Sequence, residues 1–335
     1  MRDFNFKIPV LFFSLLITLS CKKEGCTDAT ATNYNEEAKK DDGSCIYPVD
    51  ELLVDDFTPP TGPDMTSSDL ESPAYFRLIT ATSSDGLNFT STGNLVTDQG
   101  AVPDMVIKNN RIYLYYTGWN LGTVVNTTAC AVSDDNGQTW AYNNCNFSGF
   151  GTGIKPVDPD VILLDNGNFR LFTTTDISGK RSVICYESTD GINFTFVDTA
   201  AHDPSNHIFD SNTFYLNGQW HMYAINATNT QHWHLTSADG IQFDVAGTYT
   251  FADGMNQHFI SNGYSTTSGY RIMSAFLPEF NLKSFVTTDG STWTVDTGFR
   301  LTYGGSALET DYVKDPAVVK LSDGSYFMVY TTRCD

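Results

Sequence analysis

The chain has 335 residues, with 19 Lys and Arg against 39 Asp and Glu, giving a formal charge of −20. That balance excludes a default nucleic-acid surface, because phosphate contacts need clustered cations. Hydrophobic residues at 41% allow a sizeable core, and 13% aromatics with only 17% charged residues point to an all-β exported protein.

The N-terminus opens with Arg2 and Lys7, followed by the apolar run IPVLFFSLLITL at 8–19. This run is too short to span a bilayer and suits the core of a signal peptide. The segment Ile17-Thr18-Leu19-Ser20-Cys21 resembles the lipobox of bacterial lipoproteins, with Thr18 where an aliphatic residue is usual. The resemblance implies removal of residues 1–20, lipidation of Cys21, and anchoring to the bacterial outer membrane or cell surface. An ordinary signal peptide cleaved nearby is the alternative reading. Paired acyl chains would hold the protein on the membrane while its domain stays in water.

Export implies an oxidising compartment. Cys26 and Cys45 bracket GCTDATATNYNEEAKKDDGSC, which resembles a short module of exported Bacteroidetes proteins. A disulfide here would close a loop too small to have its own core. Asp28, Asp41 and Asp42 could bind Ca²⁺, a solvated acidic linker being the plainer reading. Pro48, Pro59, Pro60, Pro63 and Pro73 complete a tether and linker assigned to residues 21–72. Farther on, Cys130 and Cys145 flank a hairpin turn and could pair across strands. Cys185 and Cys334 have no evident partner and are expected to be buried thiols.

From residue 73 onward the sequence repeats. A turn motif occurs as SSDGLNF at 83–89, SDDNGQTW at 133–140, STDGINF at 188–194, SADGIQF at 237–243 and TTDGSTW at 287–293. Asp-Gly supplies the positive φ of a tight hairpin, and the trailing aromatic packs beneath it. Asp85, Asp134, Asp190, Asp239 and Asp289 are therefore structural. These turns resemble the Asp-box of sialidases, which SDDNGQTW matches in full. An aromatic strand also recurs five times: RIYLYYTG, NFRLFTTT, QWHMYAI, GYRIMSAF and SYFMVYTT. A short apolar strand precedes each one. Four strands per repeat, five times over, predict an all-β, five-bladed β-propeller with four-stranded blades across 73–335. The last inner strands have no Asp-Gly turn after them, and the first such turn has no inner strands before it. Strands within 75–97 should therefore complete the blade begun near 313, closing the ring.

Polar residues at the start of inner strands line the central channel and are the candidates for chemistry. Two units read Asp158-Pro159-Asp160-Val161 and Asp315-Pro316-Ala317-Val318. Here the chain resembles the five-bladed glycoside hydrolases of family 43 and their relatives in families 32, 62, 117 and 130, over roughly residues 75–335. The resemblance implies an inverting hydrolase acting on oligo- or polysaccharides, using an Asp base, an Asp that tunes pKa and a Glu acid. Asp158 and Asp315 fit the Asp-Pro positions. Another unit offers Val102-Pro103, with Asp104 two residues on. Phe209-Asp210-Ser211 stands where the acid's Glu-Gly-Pro is expected, and that tripeptide occurs nowhere in the chain. Asp210 is its nearest substitute, followed by Glu309 with Asp311. These carboxylates could instead cap strands or accept N–H bonds across blades.

All six histidines lie between His202 and His258. His207 and His258 fall at inner-strand starts and are candidate substrate contacts. The resemblance also allows His258 to sit beside a channel cation. Trp119 and Trp220 are candidate stacking platforms for sugar rings, with inter-blade packing as the alternative for each. No GxSxG elbow, phosphate-cradling Gly loop or CxxC pair is present. Arg111, Arg170 and Arg271 recur at equivalent strand starts, which suits repeat structure rather than the arginine cluster of a sialidase. The sequence thus indicates a monomeric, lipid-anchored propeller acting on glycans. A non-catalytic carbohydrate- or protein-binding propeller is the alternative.

Overall fold

The computed structural model describes residues 22–29, 31–46, 51–226, 232–249, 258–276, 279 and 281–334. The signal peptide and the lipidation position Cys21 lie outside the described residues. The chain divides into two compact units, Met1–Glu51 and Leu52–Asp335.

In the first unit, Cys26 and Cys45 form a disulfide. Asn33 clamps the loop from inside, its Oδ1 accepting the Ile46 amide at 2.7 Å. Asp41 and Asp42 turn their carboxylates onto the amides of Gly43 and Ser44. Among the described residues no group of three or more His, Cys, Asp or Glu side chains is placed to hold a metal ion.

The second unit is a five-bladed β-propeller. Blade 5 is split between the two ends of the chain. Its outer strands are β1 (Phe76–Ser83) and β2 (Thr90–Asp98). Blade 1 comprises β3 (Gly100–Lys108), β4 (Arg111–Leu121), β5 (Val124–Ser133) and β6 (Ala141–Asn144). A short strand β7 (Asn146–Ser148) then adds to the outside of blade 2. That blade consists of β8 (Val157–Leu163), β9 (Phe169–Ile177), β10 (Lys180–Ser188) and β11 (Asn193–Ala201). Blade 3 holds β12 (Phe209–Leu216), β13 (Gln219–Ile225), β14 (His232–Ser237) and β15 (Asp244–Tyr249). Blade 4 holds β16 (His258–Thr266), β17 (Gly269–Phe276), β18 (Asn281–Thr287) and β19 (Thr294–Val295). The inner strands of blade 5, β20 (Lys314–Lys320) and β21 (Tyr326–Arg333), come last.

Strand order in the split blade is β2-β1-β21-β20, so the two ends of the repeat region join in one sheet, as the phase of the repeats requires. Eight consecutive pairs run from Phe76↔Arg333 to Ser83↔Tyr326. Blade 2 departs from four strands because β7 pairs in parallel with β11.

Each repeat turn is held the same way. Ser83, Ser133, Ser188, Ser237 and Thr287 donate to the carboxylates of Asp85, Asp135, Asp190, Asp239 and Asp289 at 2.8–3.0 Å. The turn acid of the blade 1 repeat is thus Asp135 rather than Asp134, because the partner acid stands two residues after the hydroxyl. At Gly240, φ is +71° and an added Cβ would lie 2.5 Å from the Trp220 ring, so only glycine fits.

Packing between blades is apolar and aromatic. Phe214 stacks on Tyr270 of the next blade at 4.1 Å, and Tyr115 meets Phe194 edge-on at 5.8 Å. Cys130 and Cys145 both lie in one such layer as free thiols. The expected disulfide between them is not formed, because Asn143 is the residue paired with Cys130 and Cys145 lies two positions farther on.

The linker assigned to 21–72 is shorter than its composition suggested. Within 52–72, Phe57 is buried in a propeller core cluster. Asp55 Oδ1 and Asp56 Oδ2 accept the Tyr142 and Asn144 amides of β6 at 2.9 and 3.0 Å. These acids cover an edge strand, a role that Pro-rich, acidic sequence does not advertise.

Candidate active site

Inner strands β3, β8, β12 and β20 each open on a residue in the left-handed region: Val102 at φ 51°, Asp158 at 52°, Asp210 at 56° and Asp315 at 43°. Each lies in a register slip against the neighbouring strand, bounded by Ala101/Asp104, Val157/Asp160, Phe209/Asn212 and Lys314/Ala317. This is a β-bulge repeated around the axis. Pro103, Pro159 and Pro316 follow three of the bulged residues, where an N–H would have no ladder partner. Asp tolerates the left-handed region, whereas β-branched Val102 is strained in it. The bulges are tied to neighbouring blades by threonines. Thr117 Oγ1 accepts the Asp158 amide at 2.8 Å, and Thr174 Oγ1 accepts the Asp210 amide at 3.1 Å.

Two tiers of acids result. The lower tier is a set of latches. Asp104 Oδ2 accepts the Val161 amide of blade 2 at 2.6 Å, and its Oδ1 accepts its neighbour Met105 N at 2.7 Å. Asp160 receives Thr213 N at 3.2 Å and Thr213 Oγ1 at 2.7 Å from blade 3. Asn212 donates to the Tyr270 hydroxyl of blade 4 at 3.2 Å. Asn262 Oδ1 accepts Val318 N of blade 5 at 3.1 Å, and its Nδ2 donates to Asp104 Oδ1. Blade 5 has Ala317 at this level, and Asn262 reaches past it to close the circuit. Burial, then the charge of Asp104's neighbour Asp160, pushes the Asp104 carboxyl well up, and burial raises Asp160 to about 7. Asp104 therefore holds strands together. The space that Asp104 and Asn262 line together with Asp210 and Asp315 is about 10 Å³, room for about one water.

The upper tier consists of Asp158, Asp210 and Asp315, contributed by blades 2, 3 and 5. Burial raises Asp158 to about 6; a Thr174 hydrogen bond and Arg181 oppose this, and Asp315 adds to it. Burial and then repulsion from Asp158 and Asp315 push Asp210 well up, with Lys314 and Arg181 opposing. Asp315 Oδ2 is buried without a hydrogen-bond partner, and Lys314 Nζ stands 3.4 Å away. Burial works against the Lys314 ammonium, but Asp315 and the nearby Tyr312, Glu71 and Asp210 outweigh it, so its pKa rises. The arrangement brings together one carboxyl pushed well up, one near 6 and one whose Oδ2 is paired with an ammonium. Acid and base work on a single bond needs groups separated in this way.

The other candidates fall elsewhere. Glu309 is not part of the cluster. Its carboxylate accepts the Tyr330 hydroxyl at 2.5 Å and the Gly304 and Gly305 amides at 2.5 and 2.9 Å, pinning the loop before β20. His258 is 3% exposed, bonded to Ser274 Oγ at 2.9 Å and packed on Phe276 and Phe285. Its ring thus packs within blade 4, with His232 of blade 3 nearby. Trp220 opens β13 opposite Tyr215, near the far end of β12 from the bulge, and it backs the Gly240 turn. It is a packing residue because antiparallel pairing sets the start of the second strand against the end of the first. Trp119 donates to Asp64 Oδ2 at 2.9 Å. His207 Nδ1 accepts the Arg181 amide at 3.1 Å, and Arg181 lies over Phe209 at 4.6 Å. His207 thus lies beside a cation that acts on the carboxylates. Arg181, Lys314 and Thr174 were not singled out from the sequence. Lys314 directly precedes Asp315 and was open to inspection, whereas Arg181 comes from a third strand with no local mark.

No protein-family model and no curated protein matches the chain. Solved structures do. A thermostable family-43 glycoside hydrolase aligns with a TM-score of 0.54 and 14% identity, covering 70% of this chain and 88% of the other. An α-L-arabinofuranosidase from Clostridium thermocellum gives 0.50 and 16%, covering 68% and 80%. An exo-β-1,3-galactanase from Phanerochaete chrysosporium, solved with β-1,3-galactotriose, gives 0.50 and 11%, covering 77% and 64%. At these identities the likeness speaks to architecture: the chain has the five-bladed β-propeller fold found in those glycoside hydrolases.

Proposed function

We propose that this protein is an exported lipoprotein, tethered through Cys21 at the bacterial outer membrane or cell surface, that hydrolyses glycosidic bonds. The observation that carries the reading is the meeting of Asp158, Asp210 and Asp315 from three blades. Asp210, its carboxyl pushed well up, is the general acid that protonates the leaving oxygen. Asp315, held as a carboxylate by the Lys314 ammonium at 3.4 Å, is the base that takes a proton from the attacking water. Asp158 holds the acid's proton in place through its charge. Galactan- and arabinose-directed relatives in shape support a carbohydrate ligand.

The acid is one methylene shorter than the glutamate that the resemblance implies. This favours a second reading, a propeller that binds glycans without cleaving them. Purified protein lacking residues 1–21 is incubated with a panel of aryl glycosides and plant or algal oligosaccharides. Hydrolysis is expected, with Asp210→Asn and Asp315→Asn each lowering kcat by about 10²–10⁴-fold. Proton NMR of the first product should show inversion at the anomeric carbon. Saturable oligosaccharide binding with no turnover by the wild type would select the second reading.

A further inference from the structure

A cavity of about 420 Å³ opens beside blade 2, within the size range of small-ligand sites. It adjoins the upper tier directly. Val157 lines it one residue before Asp158, and Thr174 lines it while bonding to the Asp158 carboxyl and receiving the Asp210 amide. Its polar lining is unlike the rest of this acidic chain. Lys155 and Arg181 project into it, joined by Asn126 and the hydroxyl-bearing Thr175. Lys155 follows a loop with glycines at positive φ at 149, 151 and 153, and both cations are exposed. The one acid in the lining, Asp176, directs Oδ1 to the Gly179 amide of its own hairpin at 2.7 Å.

Arg181 also acts on the carboxylates, whereas the exposed Lys155 beside it does not act on them, leaving a cation for a ligand that a neutral sugar would not need. A carboxylate or sulfate ester would meet an ammonium, a planar guanidinium and neutral donors in one place. We infer that this cavity receives the anionic substituent of an acidic glycan, either a uronate or a sulfate ester, on the sugar next to the bond under attack. This rests on the hydrolase reading for its position and deepens it by naming the substrate class.

The test uses the Asp210→Asn protein, in which turnover is suppressed. It is applied to an array of length-matched uronate, sulfate-ester and neutral oligosaccharides, followed by calorimetry on the strongest binder and its neutral counterpart. The acidic member should bind about tenfold more tightly than the neutral one at about 50 mM salt, and the gap should narrow at about 500 mM. Lys155→Glu should erase the preference with no change in melting temperature. Preference for a uronate over a sulfate ester, or the reverse, identifies the anion. A neutral strongest binder, no binder, or a preference that survives Lys155→Glu overturns the inference. Hydrolysis of neutral substrates by the wild type alongside such a result leaves the hydrolase reading intact. Acid-selective binding with no hydrolysis by the wild type removes the hydrolase reading and keeps the anion site.

Discussion

Asparagine at position 158 should make the protein more stable and less active, with a gain that depends on pH. Asp158 rises from 3.8 to about 6 on folding. Its carboxyl is therefore favoured in the folded state below the unfolded pKa, and that advantage is lost as pH rises through about 6. A shift of about two units corresponds to about 3 kcal/mol between the acidic and alkaline limits. Asn is isosteric, carries no charge and tolerates the left-handed φ of 52°, so the backbone has no reason to move. Weakening of the Thr174 hydrogen bond offsets about 1 kcal/mol, leaving a net gain of about 1–2 kcal/mol at alkaline pH. For a domain of this size that is about 2–8 °C in Tm. Thermal unfolding followed by circular dichroism, at intervals from about pH 4.5 to about pH 8.5, should show a difference that is near zero at the acid end and grows through about pH 6. A pH-independent difference, or a loss of stability at the alkaline end, would refute the electrostatic account of the cluster.

Three further outcomes are expected. Asp160→Ala strands the buried Thr213 amide and hydroxyl and should lower stability by about 2–3 kcal/mol, read as a falling denaturation midpoint with unchanged slope. Gly240→Ala puts a methyl into Trp220 at a positive φ and should cost more than about 1 kcal/mol, against a near-neutral Gly247→Ala control where nothing lies within 4 Å and φ is not positive. His234, bonded to His221 at 3.1 Å, is lowered by burial and then by His221 to about 4, so its contribution is present above about 6.5 and lost as pH falls toward 4. A His234→Gln protein should therefore lose less stability than the wild type between about pH 7 and about pH 4.5 in the same melts.

The architecture was legible because one local interaction recurs. A hydroxyl two residues before an acid, then Gly, then an aromatic is a complete turn written in adjacent residues, and five copies fix both blade number and phase. The site was only half legible. Asp158 and Asp315 stand out through the proline that follows each, and Asp210 through alignment with them. Asp104 misled because a regular strand points residues two apart to the same side. The bulge at Val102 breaks that rule, and the acid beyond it turns to Val161 and Asn262. Glu309 misled for another reason. A lone acid near a key strand has the same appearance whether it serves substrate or holds a loop, and its three donors come from residues that sequence order does not connect with catalysis. Arg181 reaches the cluster through tertiary packing alone.

The acidic segment ahead of the first strand has a practical meaning. Asp55 and Asp56 occupy the hydrogen-bonding rim of β6, so a chain trimmed to begin at residue 73 would present a bare strand to its neighbours. Such a fragment would keep its carboxylates and still be prone to self-association through strand addition, so poor solubility in it would speak of a missing hem rather than a faulty fold.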